Sequence, residues 1–76
     1  MSHADLHAAV KDRLDLVADL AFRDRDPAAH LAALKSAAAR LDALVASLTP
    51  DTDPTLRHYF ERQSYTKALD WLAERM

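Results

Sequence analysis

The sequence contains no glycine and no cysteine among its 76 residues. The lack of cysteine excludes disulfides and thiolate metal sites, and it favours a reducing, cytoplasmic location. The lack of glycine excludes glycine-based phosphate-binding loops and the Asn-Gly turns that join β-strands. These two absences remove many of the motifs by which a short chain binds phosphate or metal.

Long hydrophobic runs and a strong net charge are also missing. No apolar run approaches the ~20 residues that cross a bilayer, and no signal-peptide segment follows Met1, so we expect no membrane location. The formal net charge of −2 provides no general attraction to nucleic acid or to anionic membranes.

The apolar half of the sequence is dominated by small side chains. It has sixteen alanines and twelve leucines, but no isoleucine. A chain of this length lies near the lower limit for a self-sufficient core, and such small domains often oligomerise. We therefore expect a single helical domain over residues 1–76 that gains further burial by self-association.

The region from Asp26 to Leu48 has the clearest periodicity. Its apolar residues recur at alternate spacings of three and four, typical of a helix that packs lengthwise against others. They are Leu31, Leu34, Ala38, Leu41, Val45 and Leu48. Nine alanines lie in this region, Ala38 of the seam among them, either because alanine favours helix or because it lets a second backbone approach closely.

The first helix is predicted over residues 3–22, with Ser2 as its N-cap. One side of this helix is broadly apolar, and the opposite side carries an acidic stripe. The stripe consists of Asp5, Asp12, Asp15 and Asp19. The charged segment 22–27 lacks apolar periodicity and is predicted to be a loop.

Two Asp-Pro pairs mark the starts of later helices. Asp26 precedes Pro27 and Asp53 precedes Pro54, and aspartate before proline is a strong helix-start signal. The pairs predict helices over 27–48 and 54–62.

The apolar face changes sides near Gln63. Apolar residues before and after this position would fall on opposite faces of one continuous helix. A break near Gln63, with Ser64 capping a helix over 64–75, removes the conflict. The alternative is an unbroken helix whose two ends bury against different chains.

The spacing of apolar residues at the end of the chain resembles part of a tetratricopeptide repeat. The residues concerned are Tyr59, Tyr65, Ala68, Leu69 and Leu72. Leu56, Gln63 and Arg75 depart from the motif, and no second copy is present, although such repeats stack to be stable. The resemblance implies a helix–turn–helix near Gln63. It does not imply that the chain belongs to the tetratricopeptide-repeat family.

The predicted fold is therefore all-α. It is a small helical bundle made of a long antiparallel αα-hairpin, residues 3–22 and 27–48, plus a third helical segment broken into two near Gln63.

We find no catalytic, cofactor or metal motif. The serines lack a nearby His and acid, and the many carboxylates have no evident pocket to separate their pKa values. His3 and His7 stand one turn apart, a spacing that can chelate metal, but a third ligand is not evident. His30 and His58 are expected at the surface or at the boundary of the core. The sequence therefore does not predict an enzyme.

The favoured function is a non-enzymatic protein–protein interaction module that forms a homodimer. The predicted contact surface comprises Arg13, Ala32, Ala39, Ala43, Ala46 and Trp71. Arg13 projects from the apolar face, either to extend its charge into water or to meet a partner's carboxylate. Trp71 would anchor the last helix or lie in the interface.

The alternative function is a small nucleic-acid-associated regulator that acts as a dimer. Arg57, His58, Arg62 and Lys67 are basic, and two tyrosines lie between them. Nearby acidic residues dilute this charge, which argues against phosphate binding.

Overall fold

A computed structural model describes residues 3–75 of the chain. Within these residues it contains five α-helices and no β-strand, so the protein is a small all-α bundle, as predicted. The helices are α1 (His3–Ala18), α2 (Leu20–Arg25), α3 (Pro27–Ala46), α4 (Pro54–Glu61) and α5 (Tyr65–Glu74). The predicted N-cap Ser2 lies outside the described residues.

The first predicted helix is interrupted at Asp19, and the prediction of one helix over 3–22 is wrong. The Asp19 carboxylate accepts a hydrogen bond from the Phe22 N–H at 3.1 Å and so caps a new helix. The predicted loop over 22–27 is wrong for the same reason, since α2 continues to Arg25. Capping at both ends stabilises this short helix although it lacks apolar periodicity.

Both Asp-Pro start signals are confirmed. Asp26 accepts from the Ala29 N–H at 3.1 Å at the start of α3. Asp53 accepts from the Thr55 N–H at 2.8 Å at the start of α4. Proline occupies the first turn of each helix, where no N–H is needed.

The break near Gln63 is also confirmed. Gln63 has a positive φ of 55°. The Ser64 N–H donates to the Tyr59 carbonyl at 2.7 Å, and the Gln63 N–H donates to the Phe60 carbonyl at 3.1 Å. These bonds form a Schellman motif that ends α4. Ser64 occupies the N-cap position of α5, but its side chain makes no capping bond, contrary to the prediction.

The helices pack around α1. It contacts α3 on one side and α5 on another, while α2 packs on α3 and α4 packs on α5. Asp12 contacts Arg40 and Leu16 contacts His30, so α1 and α3 run in opposite directions.

The core draws side chains from every helix except α2. Its fully buried large residues are Leu6, Val10, Leu41, Leu56 and Leu72. The overall shape is elongated, with principal extents of 42 × 21 × 20 Å. Within residues 3–75, no helix is both long enough and apolar enough to cross a bilayer.

Candidate functional site

His30 joins the two helices on either side of Asp19 to α3. Its ring Nε2 lies 2.7 Å from the Leu16 carbonyl oxygen, and its ring meets that of Phe22 edge-on at 5.3 Å. The Leu16 oxygen also accepts from the Asp19 N–H at 3.2 Å, because the interruption of the helix redirects the backbone there. The side chain is buried, so the prediction of a surface or boundary histidine is wrong. A tertiary contact of this kind leaves no local signal in the sequence.

Arg13 is held within its own chain. Its guanidinium carbon lies 4.5 Å from the centre of the Tyr65 ring, and the side chain is half-buried. A cation over an aromatic face is a favourable contact, which explains why a charge is tolerated on the apolar face of α1. Tyr65 is the first residue of α5, so this contact marks where α5 stops covering α1.

Beyond Arg13 the apolar face of α1 continues without cover. Val17 lies one helical turn further along the same face as Val10 and Arg13. Its exposed fraction is 55%, and those of Leu20 and Leu31 are 54% and 52%. All three side chains are apolar, but they are exposed in the single chain.

Val17 and Leu31 point to the same side of the helix pair. Leu16 and His30 meet between α1 and α3, and in antiparallel helices the residues that follow such facing residues turn toward a common side. We name this surface the open groove and define it as Val17, Leu31 and the half-buried Leu34.

The alanines predicted as a contact surface form a row on the outer side of α3. Ala32, Ala39, Ala43 and Ala46 are all exposed in the single chain. Their spacing places them on one face, turned away from the buried Leu41. Arg40 does not interrupt the row, because it reaches across to the Asp12 carboxylate at 3.0 Å.

Trp71 packs against residues of its own chain. It is 9% exposed, with the His3 ring edge-on at 5.6 Å and the Arg75 guanidinium 3.7 Å above its ring. The Arg75 Nη1 also donates to the Trp71 carbonyl at 3.0 Å. These residues form one side of a recess of about 420 Å³ whose other side is the loop between α3 and α4. Trp71 thus anchors the last helix.

The acidic stripe of α1 is engaged by intrachain contacts. Asp15 binds the Lys11 ammonium at 2.7 Å, and it raises the pKa of Lys11, first by this hydrogen bond and then by its charge. Asp12 pairs with Arg40, and Asp19 caps α2. Most of the stripe is therefore explained without a basic partner.

The basic residues near the α4–α5 turn are exposed but interleaved with acids. Arg57 and His58 border a shallow recess together with Glu61, and Lys67 borders another with Asp70. The basic side chains of this turn are therefore accompanied by acidic ones in both recesses.

The histidine pair near the start of α1 forms no ligand cluster. His3 packs on Trp71, and residues 3–75 hold no group of three His, Cys, Asp or Glu side chains placed to bind a metal.

The spacing of apolar residues does not predict the open groove, because it does not indicate which turns of a helix a neighbouring helix covers. The lengths of the helices do indicate this. The α1–α3 pair contains helices of 16 and 20 residues, while α4 and α5 have only 8 and 10. At 1.5 Å per residue, α5 covers about 15 Å of a helix pair about twice as long.

Comparison with protein-family models, with curated proteins and with solved structures gives no match to this chain.

Proposed function

We propose that this protein is a non-enzymatic helical interaction module that self-associates as a homodimer. The observation that carries the proposal is the exposure of three large aliphatic side chains, Val17, Leu20 and Leu31, at one end of the bundle. Scattered exposed leucines are ordinary, but apolar residues gathered on one side of a helix pair are typical of an association surface.

Two surfaces are candidates for the contact between copies. The first is the alanine row of α3, which the sequence favours and which would let a second helix approach closely. The second is the open groove, which offers larger aliphatic side chains. We also propose a cytoplasmic location, in keeping with the absence of cysteine.

The small core supports the same proposal. Nine apolar side chains are buried in the described part of the chain, and small domains commonly gain stability by oligomerising. The interleaved charges around the α4–α5 turn supply no comparable support for nucleic-acid binding.

Light scattering coupled to size exclusion tests the proposal over a range of micromolar concentrations. We expect a mass approaching twice the 8.5 kDa of one chain as the concentration rises. A mass that stays at 8.5 kDa at the highest concentration would contradict self-association. Sedimentation velocity on the same samples separates a dimer from larger assemblies.

A further inference from the structure

The recess beside Trp71 lies at the end of α1 that is opposite to the open groove. One of its walls consists of His3, Trp71 and Arg75, and the facing wall is the loop between α3 and α4, so we name it the loop recess. Its volume is about 420 Å³. Small-molecule sites commonly have volumes of about 300–1,000 Å³. The loop recess is therefore large enough for a small organic ligand.

The base of the loop recess is apolar. Leu6 and Leu56 close it and are almost fully buried, while Trp71 and the half-buried Leu48 lie at its sides. A ligand with an apolar body would displace water from these side chains, which is favourable. The base thus favours an apolar ligand, and the polar groups of the two walls determine its charge and orientation.

Arg75 gives one wall a positive charge and unused hydrogen-bond donors. Its guanidinium carbon lies 3.7 Å from the centre of the Trp71 ring, and its Nη1 donates to the Trp71 carbonyl at 3.0 Å. A Glu74 oxygen lies 3.5 Å from the same nitrogen. Within residues 3–75, no protein group accepts a hydrogen bond from the Nε or Nη2 of Arg75. A planar guanidinium held in place by stacking is suited to binding a carboxylate.

The loop wall carries negative charge instead. Asp51 and Asp53 both line the recess, and the Asp53 carboxylate caps α4. Asp51 is exposed and makes no ion pair in the part of the chain that the structure describes. Asp51 and Arg75 therefore line the same recess without pairing with each other. A ligand with a charge of only one sign would be attracted by one wall and repelled by the other.

We propose that the loop recess binds a short apolar peptide in its zwitterionic form, with the peptide carboxylate on Arg75 and the peptide ammonium group on Asp51. A dipeptide suits this arrangement because its charges lie at its two ends, up to about 7 Å apart in an extended chain. A free amino acid carries both charges on one carbon. The proposal goes beyond self-association and does not depend on it, since the loop recess and the open groove lie at opposite ends of α1.

The fluorescence of Trp71 tests the proposal, because Trp71 is the only tryptophan of the chain and lines the recess. The ligands are dileucine, N-acetyl-dileucine, which lacks the positive charge, and dileucine amide, which lacks the negative charge. Dileucine should change the emission saturably at millimolar concentration. Each blocked form should bind at least about tenfold more weakly, since one charge-assisted contact is lost. Amide chemical shifts recorded by NMR during the same titration give a second measurement.

Two substitutions test which wall binds which charge. In Asp51→Asn, dileucine and its N-acetyl form should bind within about twofold of each other, and in Arg75→Gln the same should hold for dileucine and its amide. Asp42→Asn and Arg62→Gln are the matched controls, because both side chains are exposed and lie outside the recess. The controls should keep the wild-type preference. Circular dichroism checks the folding of each variant, and Asp51→Asn tests the assignment alone if Arg75→Gln does not fold.

The outcomes that overturn the proposal are distinct. No saturable change in either the emission or the amide shifts overturns the loop recess as a binding site. Equal binding of the three ligands to the wild-type protein overturns a zwitterion as its ligand, and so does a preference for dileucine over its N-acetyl form that persists in Asp51→Asn. None of these results depends on the mass measured by light scattering, so each leaves the proposed self-association standing.

Discussion

Gln63 carries a local conformational cost at the turn between α4 and α5. Its φ of 55° lies in the left-handed region, which costs a residue with a Cβ about 1–2 kcal/mol and costs glycine almost nothing. The Schellman hydrogen bonds around it require this conformation, so the chain retains the turn with an unfavourable residue. The break was predictable from the reversal of the apolar face, although the backbone angle that produces it was not.

Replacing Gln63 with glycine should raise the free energy of unfolding by about 1 kcal/mol, because the left-handed cost is removed. Urea denaturation followed by circular dichroism measures the change. Gln63→Ala is the matched control, since alanine keeps the Cβ and should be close to wild type. Equal stabilities for the glycine and alanine variants would contradict the explanation.

The burial of His30 is not predictable from the sequence. Its helix was predictable, but its burial depends on a carbonyl of α1 that becomes available only because the helix is interrupted at Asp19. Such a contact joins residues 14 positions apart and cannot be seen in local periodicity.

His30→Leu should lower the free energy of unfolding by about 1–2 kcal/mol, since the part-buried hydrogen bond from His30 to the Leu16 carbonyl is lost. His58→Leu, at an exposed histidine, is the control and should change stability little. If the two losses measured in urea prove equal, the bond between His30 and Leu16 does not stabilise the junction.

At the scale of helices, aspartate capping sets the boundaries. Asp26 ends α2 by donating its N–H to the Phe22 carbonyl at 2.9 Å and starts α3 with its carboxylate. The Asp-Pro pairs made the starts of α3 and α4 predictable. Asp19 was not recognised, because it also fits the acidic face of a continuous helix and no proline follows it.

Asp26→Ala should reduce the free energy of unfolding by about 1 kcal/mol through loss of the cap of α3. Asp24→Ala removes the same charge two residues earlier, where the carboxylate makes only a long contact of 3.8 Å with Arg23. We expect Asp24→Ala to change the free energy of unfolding little. Thermal or urea unfolding of the two variants therefore distinguishes loss of the cap from loss of a negative charge. Equal decreases in the free energy of unfolding for the two variants would indicate that the lost negative charge, and not the lost cap, causes the destabilisation.

At the scale of the whole molecule, the short helices α4 and α5 cover only part of the longer α1–α3 pair. The all-α class followed from periodicity and capping, and the apolar residues Leu56, Phe60, Ala68 and Leu72 of α4 and α5 are buried. Val17, Leu20 and Leu31 are not, because burial depends on whether a neighbouring helix reaches a given turn. Periodicity identifies the face that a helix can bury, but it does not determine how far its neighbours extend.

Self-association should make unfolding depend on concentration. Folding coupled to dimerisation gains about 1.4 kcal/mol per mole of dimer for each tenfold rise in protein concentration. The thermal midpoint of the wild-type protein should therefore increase across a dilution series, whereas a midpoint independent of concentration would indicate a monomer.

The stacking of Arg13 on Tyr65 divides the bundle into a thicker part and a thinner part. Beyond it, α2 packs on α3, while α5, which begins at Tyr65, extends along the other part of α1. Regions with fewer buried contacts open at lower free energy than the core. In the dissociated single chain, amide protons around Leu20 and Leu31 should therefore exchange with solvent deuterium before those around Leu6 and Leu72. This end can consequently fray and re-form many times within the lifetime of one folded molecule.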